Sequence, residues 1–191
     1  MPSSSVDANY RFIAAYQEVN ARIAQRQQAM ALYVTLVVSL LAALVALSTS
    51  ARAPSVPVEW LVLGFPVAST TLALLSYTSE RAISNLRMFL STLERLGDMH
   101  QTLPSYNTDP KWSSAANRAR RFRDLATVLL AFAGNGIGFG AAWAIYPQRL
   151  AESAGMFYGA IALAVASLVV LLITPRWSYA PSESQCLHSQ G

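Results

Sequence analysis

The sequence predicts an all-α, polytopic membrane protein with four transmembrane helices, a cytoplasmic helical hairpin and an N-terminal amphipathic helix. The first observation behind this is the set of stretches 31–48, 60–77, 125–146 and 155–174, which contain no Asp, Glu, Lys, Arg or His. A run of about 20 apolar residues spans the ~30 Å hydrocarbon layer as a helix. The second is the distribution of charge. Twelve of the fourteen basic residues lie before the first stretch, between the second and third, or after the fourth, leaving only Arg52 and Arg149 on the other side. Positive residues in short loops resist translocation, so both termini and the middle loop are expected in the cytoplasm. The third is aromatic placement. Tyr33, Tyr77, Trp177 and Tyr179 fall at the cytoplasmic ends, and Trp60, Trp143, Tyr146 and Tyr158 at the opposite ends, as interfacial rings do.

In chain order, Met1 to Asp7 is a frayed start. From Asn9 an amphipathic helix is expected, with Phe12, Tyr16, Val19 and Ile23 in its apolar stripe and Arg11, Glu18, Arg22 and Arg26 on other faces. No Gly or Pro separates it from the first span. The loop from Thr49 to Glu59, with Pro54 and Pro57, is short enough to force an antiparallel hairpin. Pro66 in the second span removes one backbone donor and is expected to kink the helix, with Ser69, Thr70 and Thr71 placed to satisfy the groups it frees.

Beyond Tyr77 the helix is expected to continue on Ile83, Leu86, Leu90, Leu93 and Leu96, leaving Glu80, Arg81, Arg87, Glu94, Arg95 and Asp98 outside the stripe. Gly97 and the stretch 103–107 end it. Asp109 followed by Pro110 reads as an N-cap with proline at the first helical position. The resulting third helix runs into the third span. This hairpin (78–124) completes a single membrane domain over residues 1–174, followed by a polar cytoplasmic tail at 175–191.

Composition narrows the function. A net charge of +4 and a pI near 9.5 reflect cytoplasmic arginines here rather than nucleic-acid binding. The basic residues are all Arg except Lys111, a bias that, with heavy Ala use, fits a GC-rich bacterial genome and the bacterial inner membrane. Cys186 is the one cysteine, so no intramolecular disulfide, CxxC pair or metal spacing exists. The C-terminus does not match a prenylation box. Ala51-Arg52-Ala53 resembles a signal-peptidase site, but the preceding region and apolar core are too long for a cleaved leader.

No ionisable group lies within a span, as a carrier or proton pump would require. His100 and His188 are the histidines, and Asp98 and His100, two apart on a helix, do not share a face. The Gly134–Gly140 segment is apolar and lacks the Lys-Ser/Thr of a phosphate loop. No catalytic residue, cofactor site or metal site is therefore expected, and the chain is not expected to be an enzyme.

Two features remain as candidate sites. In the third span Gly134, Gly138 and Ala142 share one face while Gly136, Gly140 and Ala144 form a second strip, and such spacing lets helices approach closely. Gly155, Gly159, Ala162 and Ala166 repeat the theme in the fourth span, as do Ala31, Thr35, Ser39 and Ala43 in the first. These strips serve either packing within one monomer or a glycine zipper between subunits of a pore. Asn135, midway through the third span, ties helices together or lines that pore. The second candidate is the basic cluster Arg118, Arg120, Arg121 and Arg123, partly offset by Asp124. It is expected to face lipid on the cytoplasmic side as a topology anchor or an anion site.

The helix from Tyr10 to Met30 feeding straight into a span, the tight hairpin, and the long helix Ser79 to Leu96 resemble the SLATT-type two-helix membrane effectors found beside nucleotide-signalling genes in bacterial conflict systems. The resemblance is architectural, covers residues 8–100, and does not extend to the second pair of spans. It implies an oligomeric pore that depolarises the membrane on a signal. The residues themselves point first to a non-catalytic inner-membrane protein acting through protein contacts, as an accessory, assembly or immunity-type component. The alternative is an oligomeric pore built on the third span. The expected partners are the lipid bilayer and either another protein or a second copy.

Overall fold

Four helices long and apolar enough to cross a membrane account for nearly all of the computed structural model, which describes residues 8–49, 57–96 and 107–179. Helix α1 (Ala8–Ser48) runs 41 residues without a Gly or Pro to stop it. At 1.5 Å per residue it is ~60 Å long, twice the hydrocarbon thickness. Helix α2 (Val58–Glu94) and helix α3 (Pro110–Ile145) are also far longer than a span. A short α4 (Pro147–Glu152) begins at the proline after α3, and α5 (Ala154–Ile173) returns through the bundle to a 3-10 turn at Thr174–Trp177. No strand occurs among the described residues. The first-loop Pro54, Gly97, Asp98, His100, residues 103–106, Cys186 and His188 lie outside the described residues.

Helices α2 and α3 each pack on both α1 and α5 and touch each other, leaving α1 and α5 at opposite corners. The start of α3 follows the local code expected of it: Asp109 accepts a hydrogen bond from the Lys111 N–H at 2.8 Å, with Pro110 at the first helical position. One apolar core lies within the spans, around Phe65, Leu44, Leu72 and Ala131. A second lies between the extensions of α1 and α2, where Ala15 and Val19 meet Ile83 and Leu90, with Phe12, Ile23 and Leu86 at its edge.

Three expectations change. Tyr16 is exposed, and Ala15 takes its place in the packed stripe. Tyr33 is buried in the core rather than anchored at the interface. Helix α2 continues through Pro66, but the nearby hydroxyls do not reach the carbonyl of Val62, which loses its donor there. Ser69, Thr70 and Thr71 donate instead to the carbonyls of Phe65, Pro66 and Val67, at 3.1, 2.8 and 3.0 Å. These are the ordinary back-bonds of helical Ser and Thr.

Candidate functional site

The polar chemistry collects at two levels. Within the spans, Tyr33 of α1, Ser69 of α2 and Asn135 of α3 meet. The Asn135 amide donates to Ser69 Oγ at 2.6 Å and to the Ala131 carbonyl at 2.8 Å. The Tyr33 hydroxyl lies 3.3 Å from Ser69 Oγ and 3.4 Å from the Ala131 carbonyl. Asn135 Oδ1 is buried without a partner. The side chain on which a pore lining would depend thus joins α3 to α2 within one chain, and Tyr33 of α1 bonds to the same Ser69 and Ala131 groups.

The glycines flanking it divide by face. Gly134 and Gly138 are buried, with Ala142 below them. A Cβ on Gly138 would fall 2.5–2.7 Å from the ring carbons of fully buried Phe65, and one on Gly134 would strike the Tyr33 hydroxyl. At both positions a Cβ would have to displace an aromatic side chain, Tyr33 of α1 or Phe65 of α2. Gly136 and Gly140 are exposed with nothing near, and so are Gly155 and Gly159 on α5. Ala162 and Ala166 also point outward, whereas Ala160, Ala164, Ser167 and Leu171 form the buried face of α5. On α1, Thr35 and Ser39 face out and bond their own helix.

The second level lies just beyond the apolar segments and holds a chain of alternating charges. Arg26 of α1 donates to Glu80 of α2 at 3.1 Å and to Asp124 of α3. The other oxygen of Glu80 pairs with Arg120 of α3 at 3.0 Å. Arg120 in turn reaches Ser178 Oγ at 3.3 Å, which brings in the segment after α5. Glu80 is fully buried and Arg26 only 3% exposed. Burial pushes the Glu80 carboxyl above its ordinary value of 4.5, although Arg120 and Arg26 pull it back. Burial likewise disfavours the charge on Arg120 and Arg123.

Taking ions out of water is costly, and these are held because each carboxylate has a guanidinium against it. Their depth helps, since Arg26, Glu80 and Asp124 all lie within five residues of an apolar boundary.

A strap completes this end. Trp177 stacks under the Arg81 guanidinium at 4.7 Å, and its carbonyl accepts from Ser84 at 2.9 Å. The Tyr179 carbonyl accepts from Asn117 at 3.1 Å, and its hydroxyl donates to the Asn107 carbonyl at 3.2 Å. Arg87 bonds Asn117 at 3.1 Å, and Asn107 bonds Glu94 at 2.8 Å.

The arginines expected to form one lipid-facing cluster are therefore split by the helix. Arg118 and Arg121 face outward, whereas Arg120 turns in to Glu80 and Arg123 is half-buried beside it. For Arg120 the lipid-facing assignment is corrected, because a buried carboxylate on α2 attracts it inward. Position beside the apolar stripes puts Glu80 and Arg26 on outward faces, whereas both are buried against each other. The signal that could have located them is their spacing from the span ends, with a carboxylate and a guanidinium at the same depth on neighbouring helices.

Among the described residues no group of three His, Cys, Asp or Glu side chains is placed to hold a metal. No family model matches the chain, and neither the curated proteins nor the solved structures provide a match.

Proposed function

We propose that this chain is a non-catalytic, multi-pass protein of the bacterial inner membrane that acts through protein contacts, with both termini in the cytoplasm. One observation carries the reading. On the extension of α1, outside the apolar segment, Tyr10, Ile13 and Tyr16 on successive turns are 69%, 49% and 54% exposed. Ala15 and Val19 on the same helix are packed against α2. A large aromatic and aliphatic surface left in water on a braced helix marks an interaction site. The bracing is provided by the Arg26–Glu80 pair and by the second apolar core, so the surface is presented by a fixed element.

A photo-crosslinking residue at Tyr16 in host membranes tests this, with one at Gln25, exposed on the opposite side of the helix from Tyr16, as the control. A discrete adduct from position 16 and none from position 25 is the expected result. Absence of any protein adduct from positions 10, 13 and 16 would remove the contact reading.

The pore reading draws on one observation, the outward strip of Gly136, Gly140 and Ala144, which leaves room for a second copy. It requires that expression collapse the membrane potential, and that Gly136→Leu with Gly140→Leu restore it. A potential-sensitive dye reads both outcomes.

A further inference from the structure

We propose that the outer face of α3 binds an anionic phospholipid, with the phosphate on Arg118 and Arg121 and an acyl chain along Phe122, Leu125, Leu129 and Phe132. The proposal is independent of the contact surface on α1. Helix α3 carries two arginine pairs, each spaced three apart. The pair Arg120 and Arg123 turns toward the buried carboxylates of Glu80 and Asp124, while Arg118 and Arg121 are exposed and bond no described residue. The helix thus presents two guanidinium groups on its outer face with no counter-charge among the described residues.

Directly beneath them the same face is apolar and open: Phe122 is 70%, Leu125 52%, Leu129 57% and Phe132 63% exposed. At 3.6 residues per turn these six side chains fall within about 100° of arc. Gly136 lies in that sector too, one turn further on, with nothing against it.

The depths suit a lipid of the leaflet on the arginine side. Arg121 stands four residues, about 6 Å, beyond Leu125, the first residue of the apolar segment, and Arg118 about 10 Å beyond it. Headgroups occupy the ~5–7 Å outside the hydrocarbon. Gly136 lies about 16 Å the other way, near the inner end of a single leaflet's ~15 Å. A headgroup at the arginines therefore places its chain over the four apolar side chains and its tip at the glycine.

Charge decides the occupant. Guanidinium groups match phosphate oxygens in fork geometry, and a lipid with net negative charge neutralises them. A second copy related by a two-fold axis along the membrane normal would instead bring its own Arg118 and Arg121 to the same depth, opposing like charges across the interface.

Native mass spectrometry of the full chain in mild detergent, titrated with phosphatidylglycerol or phosphatidylcholine, tests the proposal. Phosphatidylglycerol is expected to bind in preference. Arg118→Gln with Arg121→Gln should weaken that binding about 30-fold, from ~1 kcal/mol per arginine. Arg176→Gln, at an exposed arginine after α5, should leave it unchanged. Phe122→Ser should weaken both lipids. Equal binding of the two lipids, or undiminished phosphatidylglycerol binding by the double variant, would overturn the proposal. So would a dimer that excludes lipid and is broken by Gly136→Leu. Helical circular dichroism of each variant separates loss of binding from loss of fold.

Discussion

Arg26 is the residue on which the most depends, because it serves two buried carboxylates on two helices. Replacing it by Gln leaves Glu80 and Asp124 with one fewer cation, and breaking a buried pair in this way costs about 3–5 kcal/mol. The deficit should depend on pH. Glu80 already holds its proton more tightly in the folded chain than in the unfolded one. Its contribution to stability is therefore full below pH 4.5 and is lost as pH rises through the folded value. Removing Arg26 removes a charge that opposes the upward shift, so the loss extends to higher pH. Thermal unfolding in detergent should show Arg26→Gln furthest below the parent at neutral pH, with the gap narrowing toward pH 4.5. A second residue-scale prediction uses the glycines. Gly138→Ala drives a methyl into the Phe65 ring and should destabilise by about 1–3 kcal/mol, whereas Gly136→Ala, with open space, should be near neutral. Identical spacing in the sequence hides this difference, which depends on what stands opposite each glycine.

Each helix in this chain is specified locally and joined to its neighbours by few polar atoms. The 41-residue α1 follows from an uninterrupted run of helix-compatible residues, and α3 begins where Asp109 and Pro110 say it should. The polar link between α2 and α3 within the apolar segment is the Ser69–Asn135 bond. A double-mutant cycle of Ser69→Ala and Asn135→Ala should return a coupling of about 0.6 kcal/mol, the average for such bonds between transmembrane helices. A coupling near zero would mean that Asn135 serves its own helix through the Ala131 carbonyl and nothing else. The stripes of α1 and α2 illustrate how far periodicity reaches. It identified Val19, Ile23, Ile83 and Leu90 as a packing surface, yet consigned Arg26 and Glu80 to the outside, because a hydropathy pattern assigns every charge to water. Two charges that neutralise each other across helices violate that assumption, and only the neighbouring helix reveals it.

At the scale of the whole molecule, the polar end and the apolar bundle form one body. The charge chain from Asp124 through Arg26 and Glu80 to Arg120 links α1, α2 and α3, and Ser178 draws in the segment after α5. The Arg26 pairs thus tie the α1 extension to α2 and α3. The proposed orientation has a direct check. In a Cys186→Ser background, an impermeant maleimide applied outside intact cells should label Glu152→Cys and spare Asp109→Cys. The reverse pattern would invert the topology. The sequence alone determined that four segments suit lipid and that the basic residues gather at one end, because hydropathy and charge are properties of each residue summed along the chain. The tertiary structure decided which glycines meet an aromatic ring, which arginines face a carboxylate, and which are left facing outward. Those outcomes depend on the rotation of each helix about its axis, which is set by the surfaces packed against it.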